Sequence, residues 1–252
     1  MKNFEKDNLN VQIYASRGEM GRAAAADIEA AVLRVLARQE TCNMIFAAAP
    51  SQNEVLAALA ASKTIPWARV QAFHMDEYIG LAADAPQGFA NFLRRALFDR
   101  VPFGSVNCLN TTADPEAEIA RYTRLLRENP TDIVVMGVGE NRHIAFNDPH
   151  VAHFDDSALV KQVELDEVCR MQQVHDGCFA ALADVPKTAL TLTVPALTAA
   201  KEAFCIVPGA AKAAAVERML RGPVEEACPA SILRRHAAAT LYLDADSAAK
   251  LD

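Results

Sequence analysis

Two short stretches of this chain place several proton-handling side chains in consecutive positions. The first is Phe73-His74-Met75-Asp76-Glu77-Tyr78, where an apolar run leads straight into two acids and a tyrosine. A carboxylate at such an end, half removed from water, has its proton affinity raised toward the range of a general base. The same acid would also serve as a turn or helix-cap residue. The second stretch runs from Met136 to Pro149. A buried-looking strand ends in Gly137 and Gly139, which permit a tight turn and close backbone approach, and then presents Glu140, Asn141, Arg142 and His143 in succession. With Glu140 and Asp148 close in sequence, a carboxylate can hold His143 in one tautomer, as proton transfer requires.

Two other turns could bind an anion. Pro50-Ser51-Gln52-Asn53 follows an apolar run and leads into a helix N-terminus, where free amides and the helix dipole attract negative charge, with Ser51 and Gln52 as extra donors. Val207-Pro208-Gly209-Ala210-Ala211-Lys212 puts a lysine in the first turn of a helix, the unfavourable end of the dipole for a cation unless an anion joins it. Each turn alone also fits an ordinary N-cap or a solvated lysine; together they would form a clamp. Gly137 and Gly139 lack the later glycine and acid of a dinucleotide site, no HExxH spacing occurs, and the six cysteines form no CxxC pair. Neither a metal nor a nicotinamide dinucleotide is expected.

The elements that must position these residues alternate. Helical periodicity spans Ser16 to Gln39, Asn53 to Lys63, Gly88 to Phe98, Pro115 to Arg127 and Ala210 to Leu220, and Ser16 with Glu19 and Ser51 with Glu54 have the form of N-terminal caps. Strands are expected at Met44–Ala49, Arg69–Met75, Asp132–Gly137, Ala189–Val194, Ala203–Val207 and Thr240–Leu243. Strands separated by helices imply a mostly parallel sheet covered on both faces, a three-layer α/β/α sandwich. No linker or repeat divides residues 1–252, so one domain is expected. Ligands of such sheets sit beyond the carboxyl ends of the strands, where all four polar stretches fall.

A formal charge of −7 argues against general affinity for nucleic acid or anionic lipid. The N-terminal residues carry no apolar signal core, and no apolar run is long enough to span a bilayer, so a soluble, cytoplasmic protein is expected.

Met75-Asp76-Glu77-Tyr78-Ile79-Gly80-Leu81 resembles the MDEY(V/I)GL motif of the glucosamine-6-phosphate deaminase family, and Gly137 to Pro149 resembles its GVGNDGHIAFNEP. Pro186 to Thr191, Gly209 to Lys212 and Pro229 to Leu233 extend the match over most of the chain. That family shares its fold with 6-phosphogluconolactonases. The resemblance implies a modified Rossmann-like fold and conversion of glucosamine 6-phosphate and water to fructose 6-phosphate and ammonia. On that mapping Asp76 moves a proton from C2 to C1 and His143 opens the sugar ring. The phosphorylated amino sugar would lie with its phosphate between Ser51, Gln52 and Lys212. No cofactor is implied, and a homo-oligomer is left open.

The match departs from the family where Asn-Asp-Gly-His becomes Glu140-Asn141-Arg142-His143, where the later glutamate becomes Asp148, and where glycines of the phosphate turn become Ala48 and Ala49. The expectation is therefore that Glu140 or Asp148 orients His143, and that Arg142 points to the ligand or covers the mouth of the site, beside Asn141. A lactonase using His143 to activate water, and a sugar-phosphate sensor without catalysis, are the competing readings.

Overall fold

Cys42-Asn43-Met44-Ile45-Phe46 and Ile133-Val134-Val135-Met136 are buried at every position, as strands covered on both faces must be. Their side chains alternate between two cores. Ile45, Val134 and Met136 join one cluster with Tyr122, Leu126, Val216 and Met219; Met44, Phe46, Ile133 and Val135 join the other with Met20, Ile28, Val55 and Leu59. The computed structural model describes residues 2–251.

The elements in chain order are β1 (Lys2–Lys6), β2 (Leu9–Tyr14), α1 (Arg17–Leu36), β3 (Cys42–Phe46), α2 (Asn53–Ala61), β4 (Val70–His74), β5 (Asp76–Tyr78), α3 (Phe89–Leu93), β6 (Ser105–Asn107), α4 (Pro115–Glu128), β7 (Ile133–Met136), β8 (Val160–Glu164), α5 (Glu167–His175), β9 (Thr188–Leu192), α6 (Val194–Thr198), β10 (Glu202–Val207), α7 (Ala213–Arg221) and β11 (Ala239–Asp244). The large sheet has the order β1-β2-β11-β10-β7-β3-β4-β6. Every pairing in it is parallel except the β1–β2 hairpin. With α1 and α2 packed on one face and α4 and α7 on the other, it is the three-layer, mostly parallel sandwich expected from the sequence.

From β3 the chain moves outward through β4 to β6, then returns to β7 on the other side of β3 and continues through β10 to β11. The order thus reverses between β3 and β7, the place where open α/β sheets leave a crevice at their carboxyl edge.

Three local expectations change. The Ala189–Val194 strand is not part of the parallel sheet: as β9 it pairs antiparallel with both β5 and β8 in a separate three-stranded sheet over the carboxyl edge. The Gly88–Phe98 helix is α3 followed by a π turn, Arg94–Phe98. Ser16 does cap α1, accepting from the Glu19 amide at 3.3 Å, but Ser51 does not cap α2, because its hydroxyl faces the Gln52 side chain and Glu54 pairs with Arg17. No helix among the described residues is long and apolar enough to cross a membrane.

Candidate active site

Four neighbouring strands end at one cleft. The turn after β3 contributes Ala47, Ala48, Ala49, Ser51 and Gln52; the end of β4 leads to Met75 and Asp76; the turn after β7 brings Gly137, Val138, Gly139 and His143; and the turn after β10 brings Lys212. The cleft holds about 490 Å³ of empty space, with Phe89, Phe146, Gln172 and Gln173 closing it from the side of the small sheet. Asp76 and His143 therefore face the same space.

Asp76 is 6% exposed, and no protein donor among the described residues meets its carboxylate. Burial, with the neighbouring Glu77 charge, pushes its proton affinity well above the usual carboxylate range. Glu77 is the opposite case. Burial works to raise it, but His74 at 3.6 Å and the amides of Ala90 and Phe89, at 2.8 and 3.0 Å, outweigh that and hold it ionised. The persistence of the Glu77 charge is one reason that Asp76 keeps its proton so readily.

His143 stacks against the backbone of Gly139. A β-carbon at 139 would lie 2.2 to 2.5 Å from three ring atoms, so only glycine lets the imidazole take this place. The turn is closed by the Gly139 amide donating to the His143 carbonyl at 2.9 Å. Behind the ring, Nδ1 lies 3.1 Å from Oδ1 of Asp148, a fully buried acid. Burial opposes the charge of Asp148, but His143, the Asn141 amide and the Asp166 amide hold its proton affinity below the ordinary value. With Nδ1 turned to the carboxylate, Nε2 is left without a protein partner among the described residues.

At the other end of the cleft, Lys212 is buried and its Nζ has no hydrogen-bond partner among the described residues. Burial lowers its proton affinity, against the pull of Asp176 and Glu140. The Gln52 amide, also buried, donates to Ser51 Oγ and to the Ile206 carbonyl, while its Oε1 meets no donor among the described residues. An ammonium buried without a counterion is costly unless a ligand supplies the anion.

Of the residues singled out in the sequence, Asp76, His143, Ser51, Gln52 and Lys212 line the cleft, and Asp148 stands directly behind His143. Three others do not line it either. Glu140 is turned away from His143 and faces His175, with Oε2 3.4 Å from Nδ1, while its amide donates to Gln172. Arg142 neither reaches the ligand space nor covers its mouth; its Nε donates to the Asn141 carbonyl at 2.8 Å. Its backbone is left-handed, at φ 74°, a conformation that costs a residue with a β-carbon and not glycine. Asn141 lies behind the cleft, bridging two acids.

Gln172 and Gln173 are cleft residues that the sequence reading passed over. The signal was present: Asp166 and Glu167 form an N-terminus, and Asp166 accepts from the Cys169 amide at 2.6 Å. As for metals, His143, Asp148 and Cys169 bring donor atoms within 4.8 Å of one another. Both oxygens of Asp148 are already committed to Asn141 and to the Asp166 amide, so we assign no ion there.

The family of glucosamine-6-phosphate isomerases and 6-phosphogluconolactonases matches residues 15–242. A glucosamine-6-phosphate deaminase of Exiguobacterium sibiricum is 38% identical over 183 residues, covering 72% of this chain and 71% of that one. Another, of Listeria innocua serovar 6a, is 35% identical over 210 residues, covering 83% and 88%. Among solved structures, a monomeric glucosamine-6-phosphate deaminase superposes with a TM-score of 0.86 at 26% identity, over 95% of this chain and 98% of that one. The 6-phosphogluconolactonase of Thermotoga maritima, at 19% identity and a TM-score of 0.77 over 94% and 99%, shares the fold. Motifs, fold and relatives agree, and the chain belongs to the glucosamine-6-phosphate isomerase and 6-phosphogluconolactonase family of enzymes.

Proposed function

We propose that this protein is an isomerising deaminase that converts glucosamine 6-phosphate, or a close amino-sugar phosphate, and water to a ketose 6-phosphate and ammonia. The observation that carries the reading is the shared cleft, with a carboxylate of raised proton affinity, a carboxylate-backed imidazole and a buried, unpartnered lysine around one space.

The phosphate pairs with Lys212 and takes donors from Ser51 and Gln52 at the N-terminal side of α2, which restores the charge balance that burial of the lysine disturbs. His143, held by Asp148, exchanges a proton with the ring oxygens so that the pyranose opens to the aldehyde. Asp76 then removes the proton from C2 and returns it to C1. The enolamine formed between these steps becomes a ketimine, water adds at C2, and ammonia leaves. A carboxylate that both takes and gives up a proton works best with an affinity lifted toward neutral pH, as burial and Glu77 provide. The aromatic wall of Phe89 and Phe146 keeps bulk water from the enolamine.

The test is ammonia release from glucosamine 6-phosphate and galactosamine 6-phosphate, with 6-phosphogluconolactone hydrolysis measured in parallel. Ammonia release that Asp76→Asn abolishes is the expected result. Lactone hydrolysis without ammonia would assign the lactonase activity instead, and sugar-phosphate binding with neither would assign a sensor.

A further inference from the structure

Asn141 donates from Nδ2 to two different acids, to Asp148 Oδ1 at 2.8 Å and to Asp166 Oδ2 at 2.8 Å, and its Oδ1 accepts from the His143 amide at 3.1 Å. Asp166 also holds its other oxygen on the Cys169 amide at 2.6 Å, capping α5, and its own amide donates to Asp148 Oδ2 at 3.0 Å. A second tie, from the Glu140 amide to Gln172 at 2.7 Å, fastens α5 to the same loop.

Both acids are acceptors, so the group between them must supply two hydrogens, and of the two isosteres only asparagine does so. An aspartate at 141 in this geometry would stand against two carboxylates with no proton to share. The substitution at 141 and the acid at 166 are therefore parts of one arrangement.

We propose that Asp166 is a positioning residue for His143. It acts through Asn141 on the Asp148 carboxylate, and it couples the imidazole to the helix that carries Gln172 and Gln173 into the cleft. The role assigned to His143 is the one proposed above, and this inference rests on it.

Asp166→Asn and Asp166→Ser separate positioning from capping, because both residues cap a helix as well as aspartate does. Each removes the acceptor that Asn141 needs, and asparagine sets amide against amide. The expected result is a loss of about tenfold in kcat with KM for glucosamine 6-phosphate within about twofold and little change in Tm. In the Asn141→Asp background the Asp166→Asn change should cost less than it does alone, because carboxylate and amide have then exchanged places.

A readout independent of turnover is the ¹⁵N spectrum of the His143 imidazole, assigned by its loss in His143→Gln. At a pH where the ring is neutral, the native protein should show the proton fixed on Nδ1, and both Asp166 variants should show the two nitrogens averaging. Unchanged imidazole signals in both variants would overturn the proposal, whether or not kcat falls. Should no amino-sugar phosphate release ammonia, the proposed function fails, while the imidazole spectrum still decides this inference.

Discussion

Among the described residues two histidine–carboxylate pairs are buried, and they differ in what remains free once each pair has formed. His74 is fully buried; its Nδ1 accepts from the Leu109 amide at 3.3 Å, and its Nε2 faces Glu77, which is anchored by three backbone amides. Nδ1 and the carboxylate are consumed by backbone amides, and Nε2, 3.6 Å from the carboxylate, is sealed in the core and does not open on the cleft. His143 has the same kind of partner, but its second nitrogen is left to the cleft. A histidine beside an acid is thus closed off in the core or left open to a cleft according to its packing, and at His143 a glycine makes the room.

The largest expected effect separates the pairs directly. His143→Gln should lower kcat by roughly 10²–10⁴, the usual worth of general acid–base help. His74→Gln should leave kcat within about threefold and instead cost roughly 1–3 kcal/mol of stability, measured by denaturant unfolding, because buried donors and acceptors lose partners. Equal losses of kcat in the two variants would erase the distinction. Gly139→Ala comes next. It removes no ionisable side chain but drives a methyl into the His143 ring, so kcat should fall by about 10² through displacement of the imidazole alone.

The acids of the two pairs also predict opposite pH behaviour from the unpaired acid beside them. Glu77 and Asp148 have lowered proton affinities, so the stability they give is present above the ordinary carboxylate value and is lost as pH falls through the depressed folded values. Asp76 is raised, so the native fold is favoured by its protonation below the ordinary value and loses that contribution as pH rises through the raised one. Asp76→Asn should accordingly be inactive yet more stable at neutral pH, with the gain, about 2–4 °C in Tm for each kcal/mol, shrinking toward pH 4. A Tm no higher than that of the native protein at pH 7 would count against a buried, strained carboxylate.

Much of this was legible in the sequence wherever the physical signal is local. Apolar runs that end in glycines or acids marked the parallel strands and their carboxyl edge, and with them Asp76, His143 and the two turns that bring Ser51, Gln52 and Lys212 to the cleft. What stayed hidden depended on partners distant in sequence. β5 is only Asp76-Glu77-Tyr78, and β8, Val160-Lys161-Gln162-Val163-Glu164, has one exposed face; their pairing with β9 makes them strands. β1 is a charged, exposed edge strand whose sequence, Lys-Asn-Phe-Glu-Lys, reads as surface. Glu140 shows the limit of counting along the chain. It is three residues from His143, but the left-handed turn at Arg142 sends the two side chains apart, and the more distant Asp148 becomes the partner.

That turn supplies the smallest expected effect. Arg142 pays a left-handed backbone cost of about 1–2 kcal/mol that glycine would not, while glycine gives back roughly 0.5–1 kcal/mol in unfolded-state entropy. Arg142→Gly should therefore raise Tm by only about 1–3 °C. Because the side chain is bonded to the Asn141 carbonyl and lies outside the cleft, kcat and KM should stay within about twofold. A tenfold rise in KM would mean that the guanidinium swings in to meet the phosphate when substrate binds, leaving Lys212 as one of two cations at that end of the cleft. Strain retained in the backbone without any gain in binding would instead make Arg142 a tolerated replacement, held by the same turn that Gly139 and His143 close between them.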